Sequence, residues 1–433
     1  MADDDGDSDL DSEARFRKRN PLPPEVFYNI DVTRMNGVSL LKIYANARHT
    51  VGDLVVSIKK AANISAKDLT LLLAFDSKVL DDAKTLEQAG LFDGASVTAI
   101  RFPELFFAAA YEDGTTQILS AESGDVQRTF TNELMRESGA VMSVAFAASG
   151  LSLVIGCMDG SAHLWSATSG IHMREYIGHT GPVTGVCCSP DGKLLATACF
   201  DRTARIWDFV TGRCRKVCIG HRGSVNCVDF SIDSKILGTG SEDSKAKLWS
   251  IDDDKKSELT LNGHQGAVQA IAFSPHGKAI ATGSLDSDVN LWSTRTGRLE
   301  WNLSDGTCPV VSLAFSPDGM IIAVGGTDGT CKLWSVGTGT SSFTLQCNGG
   351  VPRSICTVAF SPAGTTLATG SEDGSVSIWG LDNGELSALK RTIQGPSGVF
   401  AVSFSAGPVA SKDGKNSRAG LMGPARATMM GAH

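Results

Sequence analysis

The sequence predicts a mainly β molecule: a seven-bladed β-propeller preceded by a small α+β domain. Three observations carry that expectation. An anchor residue recurs at Leu119, Trp165, Trp207, Trp249, Trp292, Trp334 and Trp379, at intervals of 42 to 46 residues. Every interval repeats the same order of alternating apolar runs and turn residues. The two ends of the repeat region hold fragments that complete each other. A period of this length marks a propeller or a solenoid and is read before any single motif. The 47 glycines against 14 prolines suit many tight turns between short strands.

In chain order, residues 1–25 open with "MADDDGDSDLDSE", an acidic leader whose charge predicts disorder. It lacks the apolar stretch of a secretory signal. Residues 26–102 change pattern. "VFYNIDV" and "VSLLKIYA" flank a hairpin signal ending in Asn-Gly. Val51, Leu54, Val55 and Ile58 then fall on one helical face. Thr50 is placed to cap that helix, with Asp53 as the capping-box acid. "LTLLLAF" and "ASVTAIRF" supply two further strands. The stretch "SKVLDDAKTLEQAGLFDGASV" resembles ubiquitin-like domains, which implies a β-grasp fold for 26–102. No Gly-Gly end follows, since the chain runs on through "RFPELFF", so conjugation to other proteins is not expected. By the same resemblance, Ala74 and Ile100 mark the candidate ubiquitin-like patch.

Residues 103–410 carry the repeat. A unit opens with an alternating run such as "VNCVDFS" or "VQAIAFS", the mark of a half-buried strand. A turn such as "SPDG" follows, then a small-residue strand such as "LLATAC", a turn holding Asp, and the strand ending in the anchor. A weaker fourth strand completes a blade. The Gly-His opening, the turn aspartate and the Trp-Asp ending at Trp207 resemble the WD-repeat family. The other anchor tryptophans precede Ser or Gly, and Leu119 stands where the first unit would hold Trp. Strand 399–405 should pair with the incomplete unit at 104–130 and close the ring, leaving no raw edge there. Residues 411–433 read as a disordered basic tail.

The repeats also contain the ingredients of a hydrolase. Three units hold a histidine, a threonine, an aspartate and a tryptophan at fixed spacing: His179, Thr197, Asp201 and Trp207; His221, Thr239, Asp243 and Trp249; His264, Thr282, Asp286 and Trp292. A catalytic triad needs to occur once, beside an oxyanion site. Three copies in neighbouring blades point to scaffold. The WD-repeat resemblance implies the same, a buried hydrogen-bond network. No catalytic residue is therefore expected.

Residues just before the turn aspartates should face solvent or a partner: Glu112, Met158, Phe200, Glu242, Leu285, Thr327 and Glu372. Met158 and Phe200 fall on adjacent blades, a candidate hot spot. "IATGSLDSDVNLWSTR" resembles the motif by which some propellers dock a cullin-ligase adaptor, with Arg295 as its basic end and Ser293 where Asp is usual.

Bulk composition narrows the partners. A net charge of −8 argues against direct nucleic-acid binding, and no apolar run is long enough for a membrane span. Eleven cysteines without C-x-x-C spacing argue for reduced thiols in the cytoplasm or nucleus, and against zinc or any other cofactor. The expected function is a non-enzymatic scaffold that binds other proteins in a complex, with no small-molecule substrate. Two alternatives stay open. One is an adaptor or substrate receptor in the ubiquitin–proteasome system. The other is a ribosome-assembly factor whose ubiquitin-like domain docks on an ATPase through Asp81 and Asp82.

Overall fold

The computed structural model describes residues 27–33, 39–46, parts of 48–102, 105–131, 140–252, 258–304, 306–346, 353–382 and 385–405. The expected leader at 1–25 and tail at 411–433, with Val55, Asp81 and Asp82, lie outside the described residues. The chain divides near residue 100 into two compact units.

The first unit is a five-stranded sheet of β1 (Phe27–Thr33), β2 (Ser39–Asn46), β3 (Thr70–Phe75), β4 (Lys78–Val79) and β5 (Ser96–Phe102). The strand order is β2-β1-β5-β3-β4. β1 and β2 pair antiparallel as a hairpin, whereas β1 and β5 run parallel at the centre. Parallel neighbours need a crossover. Helical residues between 51 and 58 lie within it, and Val51, Leu54 and Ile58 share a core with Ile30, Val32, Leu86 and Val97. The capping box forms as the sequence indicates. Thr50 N–H donates to Asp53 Oδ2 at 2.9 Å, and Asp53 N–H donates to Thr50 Oγ1 at 3.1 Å. A second box, Thr85 with Gln88, caps the turn before β5.

The second unit holds seven four-stranded antiparallel sheets. Blade 1 joins both ends of the repeat region: Val399–Phe404 pairs with Phe106–Tyr111, followed by Thr116–Ser120 and Val126–Phe130. Blades 2 to 7 follow in chain order. Their inner strands are Val141–Phe146, Val183–Cys188, Val225–Phe230, Val268–Phe273, Val310–Phe315 and Ile355–Phe360. These strands are buried along their full length.

The core lies between blades. Trp249 of blade 4 packs on Ala204 and Ile206 of blade 3, and Trp334 of blade 6 packs on Val289 and Leu291 of blade 5. Each anchor tryptophan so placed buries roughly 150–250 Å². Side chains also tie inner strands to their neighbours' backbones. Ser143 Oγ accepts from Val186 N–H at 3.1 Å, Thr184 Oγ1 donates to Val225 O at 2.6 Å, and Thr357 Oγ1 accepts from Val402 N–H at 3.2 Å.

On the outer strands, one register position reaches across to the next blade's turn. Arg128 binds Thr168 O at 2.5 Å, Arg174 binds Thr211 O at 2.9 Å, and Lys216 binds Ser250 O at 2.9 Å. In blades 4 and 5 the same position holds Leu259 and Trp301, packed beside Gly297 and Gly339.

Candidate functional site: the rim of turn aspartates

The turn aspartates and Gly-His loops gather on one rim of the ring, called the top. All seven aspartates do one local job. The carboxylates of Asp113, Asp159, Asp201, Asp243, Asp286, Asp328 and Asp373 each accept the backbone N–H two residues on, at 2.8 to 3.1 Å. The intervening residue has φ between 62° and 94° in every blade: Gly114, Gly160, Arg202, Ser244, Ser287, Gly329 and Gly374. The aspartate is therefore a turn former first, which explains why it recurs where histidine does not.

In blades 3, 4 and 5 a second layer is added. His179 Nδ1 lies 2.8 Å from Asp201 Oδ2, and its Nε2 lies 2.7 Å from Thr197 Oγ1. The matching distances are 3.0 and 2.8 Å at His221, and 3.0 and 2.8 Å at His264. Trp207, Trp249 and Trp292 donate their indole N–H to Thr197, Thr239 and Thr282 at 2.8 to 2.9 Å. Burial works against charge on Asp201, but bonds from Thr203 and His179 outweigh it and hold its carboxyl down at about 2. Asp243 and Asp286 are lowered as well, with bonds from Arg222 and Gln265 outweighing burial. An ionised carboxylate only accepts, so each Nδ1 carries the proton and each Nε2 accepts from threonine. Burial pushes the His179 imidazole below its usual value, against the pull of Asp201.

This arrangement offers no nucleophile. The three threonines are at most 1% exposed, and the histidine side chains 1 to 2%. Each hydroxyl is already held between a ring nitrogen and an indole N–H. All twelve network residues predicted from sequence come together in their three blades.

The remaining blades compensate differently. In blade 7 Trp379 still donates to Thr369, at 3.1 Å. In blade 2 Ile155 replaces that threonine, and the buried Trp165 N–H finds no partner among the described residues. His163 and His172 meet there instead, Nδ1 to Nε2 at 3.1 Å. In blade 6 Gly326 supplies no side chain, and Cys308 Sγ accepts the Asp328 N–H at 3.3 Å.

The rim residues divide. Met158 and Phe200 are 40% and 39% exposed, and Glu112, Glu242 and Glu372 are exposed too. Leu285 and Thr327 are half-buried, which departs from expectation. Thr327 turns its hydroxyl to Cys308 Sγ at 3.4 Å. Arg295 is exposed in a blade 5 turn. Ala74 lies in β3 and Ile100 in β5; their side chains lie outside the described residues.

Sequence spacing missed one cluster. The donor atoms of His179, Cys199 and Asp201 lie within 4.8 Å of one another. No short motif joins them, because they come from a loop, a strand end and a turn. The thiol of Cys199 is pushed up to about 12 by burial beside Asp201.

Seven sheets of four strands, each braced by its own turn aspartate, define a repeat-built β-propeller. The family model for the WD domain, G-beta repeat, matches residues 124–166, 170–208, 212–250, 255–293, 297–335 and 339–380, more than half of the sequence, and the chain belongs to that family. Each matched repeat starts near the outer strand of one blade and ends with the third strand of the next. Outside the six repeats lie Phe106–Tyr111 and Thr116–Ser120 before them and Val399–Phe404 after them, and these three strands join Val126–Phe130 of the first repeat to make blade 1. A search of the curated proteins gave no match.

Proposed function

We propose that the protein is a non-enzymatic scaffold that docks other proteins on the top rim of blades 2 and 3, within a multi-subunit complex. One observation carries this reading: two large apolar side chains, Met158 and Phe200, stand exposed on neighbouring turns. Only a thin loop separates the turns. Gly160 and Gly181 abut backbone to backbone, and Gly181 faces Phe200 Cβ. Neighbouring blades offer glutamates at this position, so the patch has a polar surround, as hot spots do. Nucleic acid, membrane and small-molecule substrates are not part of this reading. Free thiols at all ten described cysteines fit a reducing cytoplasm or nucleus.

The first unit is read as a ubiquitin-like domain that is not conjugated. Support comes from the strand order β2-β1-β5-β3-β4, with its parallel central pair and a helix in the crossover. The exposed Arg295 favours, as a second reading, an adaptor role in the ubiquitin–proteasome system. The ribosome-assembly alternative rests on the pairing of such a domain with a propeller and on the acidic pair Asp81 and Asp82, which lies outside the described residues.

Affinity purification with the full chain tests the rim. Met158→Ser combined with Phe200→Ser should leave the melting temperature unchanged and strip a defined set of co-purifying proteins. Retention of every partner would end this reading. Loss of cullin-ligase subunits alone upon Arg295→Ala would favour the adaptor.

A further inference from the structure

Blade 3 departs from blades 4 and 5 two residues before the turn aspartate. The position that holds Ser241 and Ser284 holds Cys199. The structural task there is the same. Cys199, Ser241 and Ser284 accept the N–H of the turn aspartate at 3.2, 3.1 and 3.2 Å. Cys199 and Ser241 also donate to a loop carbonyl, Gly181 O at 3.0 Å and Gly223 O at 3.1 Å. Serine does this work in two blades, so sulfur is not needed for the turn. What sulfur adds is a soft donor beside an imidazole and a carboxylate.

We propose that blade 3 carries a zinc-class metal site formed by His179 Nδ1, Cys199 Sγ and Asp201 Oδ2. The three donors already lie within 4.8 Å of one another. Tetrahedral zinc with bonds of about 2.0–2.3 Å needs donor separations of about 3.3–3.8 Å. The His179–Asp201 pair, now 2.8 Å apart, opens by about 0.5 Å to admit the ion. The nitrogen, sulfur and oxygen set selects zinc or cobalt over magnesium or calcium, which prefer oxygen alone.

Each donor is also held from behind, as metal ligands usually are. Thr197 grips the far nitrogen of His179 at 2.7 Å. Thr203 grips the other oxygen of Asp201 at 2.6 Å. The Asp201 N–H points at the sulfur. Water would complete the coordination, since among the described residues no further His, Cys, Asp or Glu joins the group.

Binding balances as follows. The thiol proton leaves to water and the sulfur becomes thiolate. The imidazole keeps one hydrogen but carries it on Nε2, where it donates to Thr197 Oγ1, freeing Nδ1 for the ion. Thr197 still accepts from Trp207 and turns its own hydrogen toward the backbone. Thr239 and Thr282 already lie 3.4 Å from such carbonyls, Lys247 O and Asn290 O. The site does not depend on the docking reading.

Cobalt(II), then zinc(II), titrated into the reduced full-length protein tests the site. One equivalent of cobalt should bind with a sulfur-to-cobalt charge-transfer band, zinc should displace it, and zinc should raise the melting temperature by about 2 °C or more. Cys199→Ser, which copies blades 4 and 5, should remove the band and weaken binding at least tenfold. Ser241→Cys should add a second equivalent with the same band, so the proposal remains decidable even if Cys199→Ser does not fold. Absence of a thiolate band, equal binding by Cys199→Ser, or no added equivalent in a folded Ser241→Cys protein would overturn it.

Discussion

A left-handed residue follows the turn aspartate in all seven blades, yet only four of them place glycine there. The three exceptions, Arg202, Ser244 and Ser287, lie in the blades with the histidine network. A side chain at positive φ carries strain of about 1 kcal/mol or more. The network over-determines these turns and tolerates that strain. Ser244→Gly should therefore stabilise the protein by about 0.5–1 kcal/mol, read from urea unfolding. His221→Ala should act oppositely. It leaves Thr239 and Asp243 short of a partner inside the blade, at a cost of about 1–3 kcal/mol. The melting temperature should fall, without loss of any enzymatic turnover.

At the scale of strands, the inner strands hold one carboxylate among the described residues. Asp229, in the inner strand of blade 4, accepts the Phe273 N–H of blade 5 at 2.8 Å and faces Cys187 Sγ of blade 3 at 3.3 Å. Complete burial pushes its carboxyl up to about 7, against the bonds from Phe273, Cys187 and Phe230. Its ordinary value is 3.8, so between pH 4 and 7 the folded chain keeps a proton that the unfolded chain has lost. Stability from this group falls as pH rises through that window. Ser403 occupies the equivalent position in blade 1 and accepts the Phe146 N–H of blade 2 without charge. Asp229→Ser should therefore flatten the pH dependence of stability between 4 and 7 and raise the unfolding free energy, read from urea titration at pH 8, by about 1 kcal/mol or more. An unchanged pH profile would show that Asp229 is not the titrating group. Strands were the legible part of the sequence, because period-two runs and turn residues are local signals. The Thr50–Asp53 cap and the histidine networks were legible through fixed spacing. The half-burial of Thr327 and the approach of Cys199 to His179 were not. Each depends on loops and strand ends brought together by a neighbouring element, which no single period encodes.

For the molecule as a whole, the propeller is closed by hydrogen bonds between its most distant segments. Val399–Phe404 completes blade 1 and touches blade 7 through Thr357 and Val402. A chain ending at residue 395 would leave Phe106–Tyr111 as an uncovered edge. Size-exclusion chromatography should find that protein aggregated, and a peptide spanning 396–405, added during refolding, should restore part of the monomer. The same closure sets an order on synthesis. Blades 2 to 7 each draw their four strands from consecutive sequence and can zip up as they leave the ribosome. Blade 1 is the first to be translated and the last to be finished, so a stall near the end releases a product with six sound sheets and one sticky seam, the kind of defect that cellular quality control is built to find.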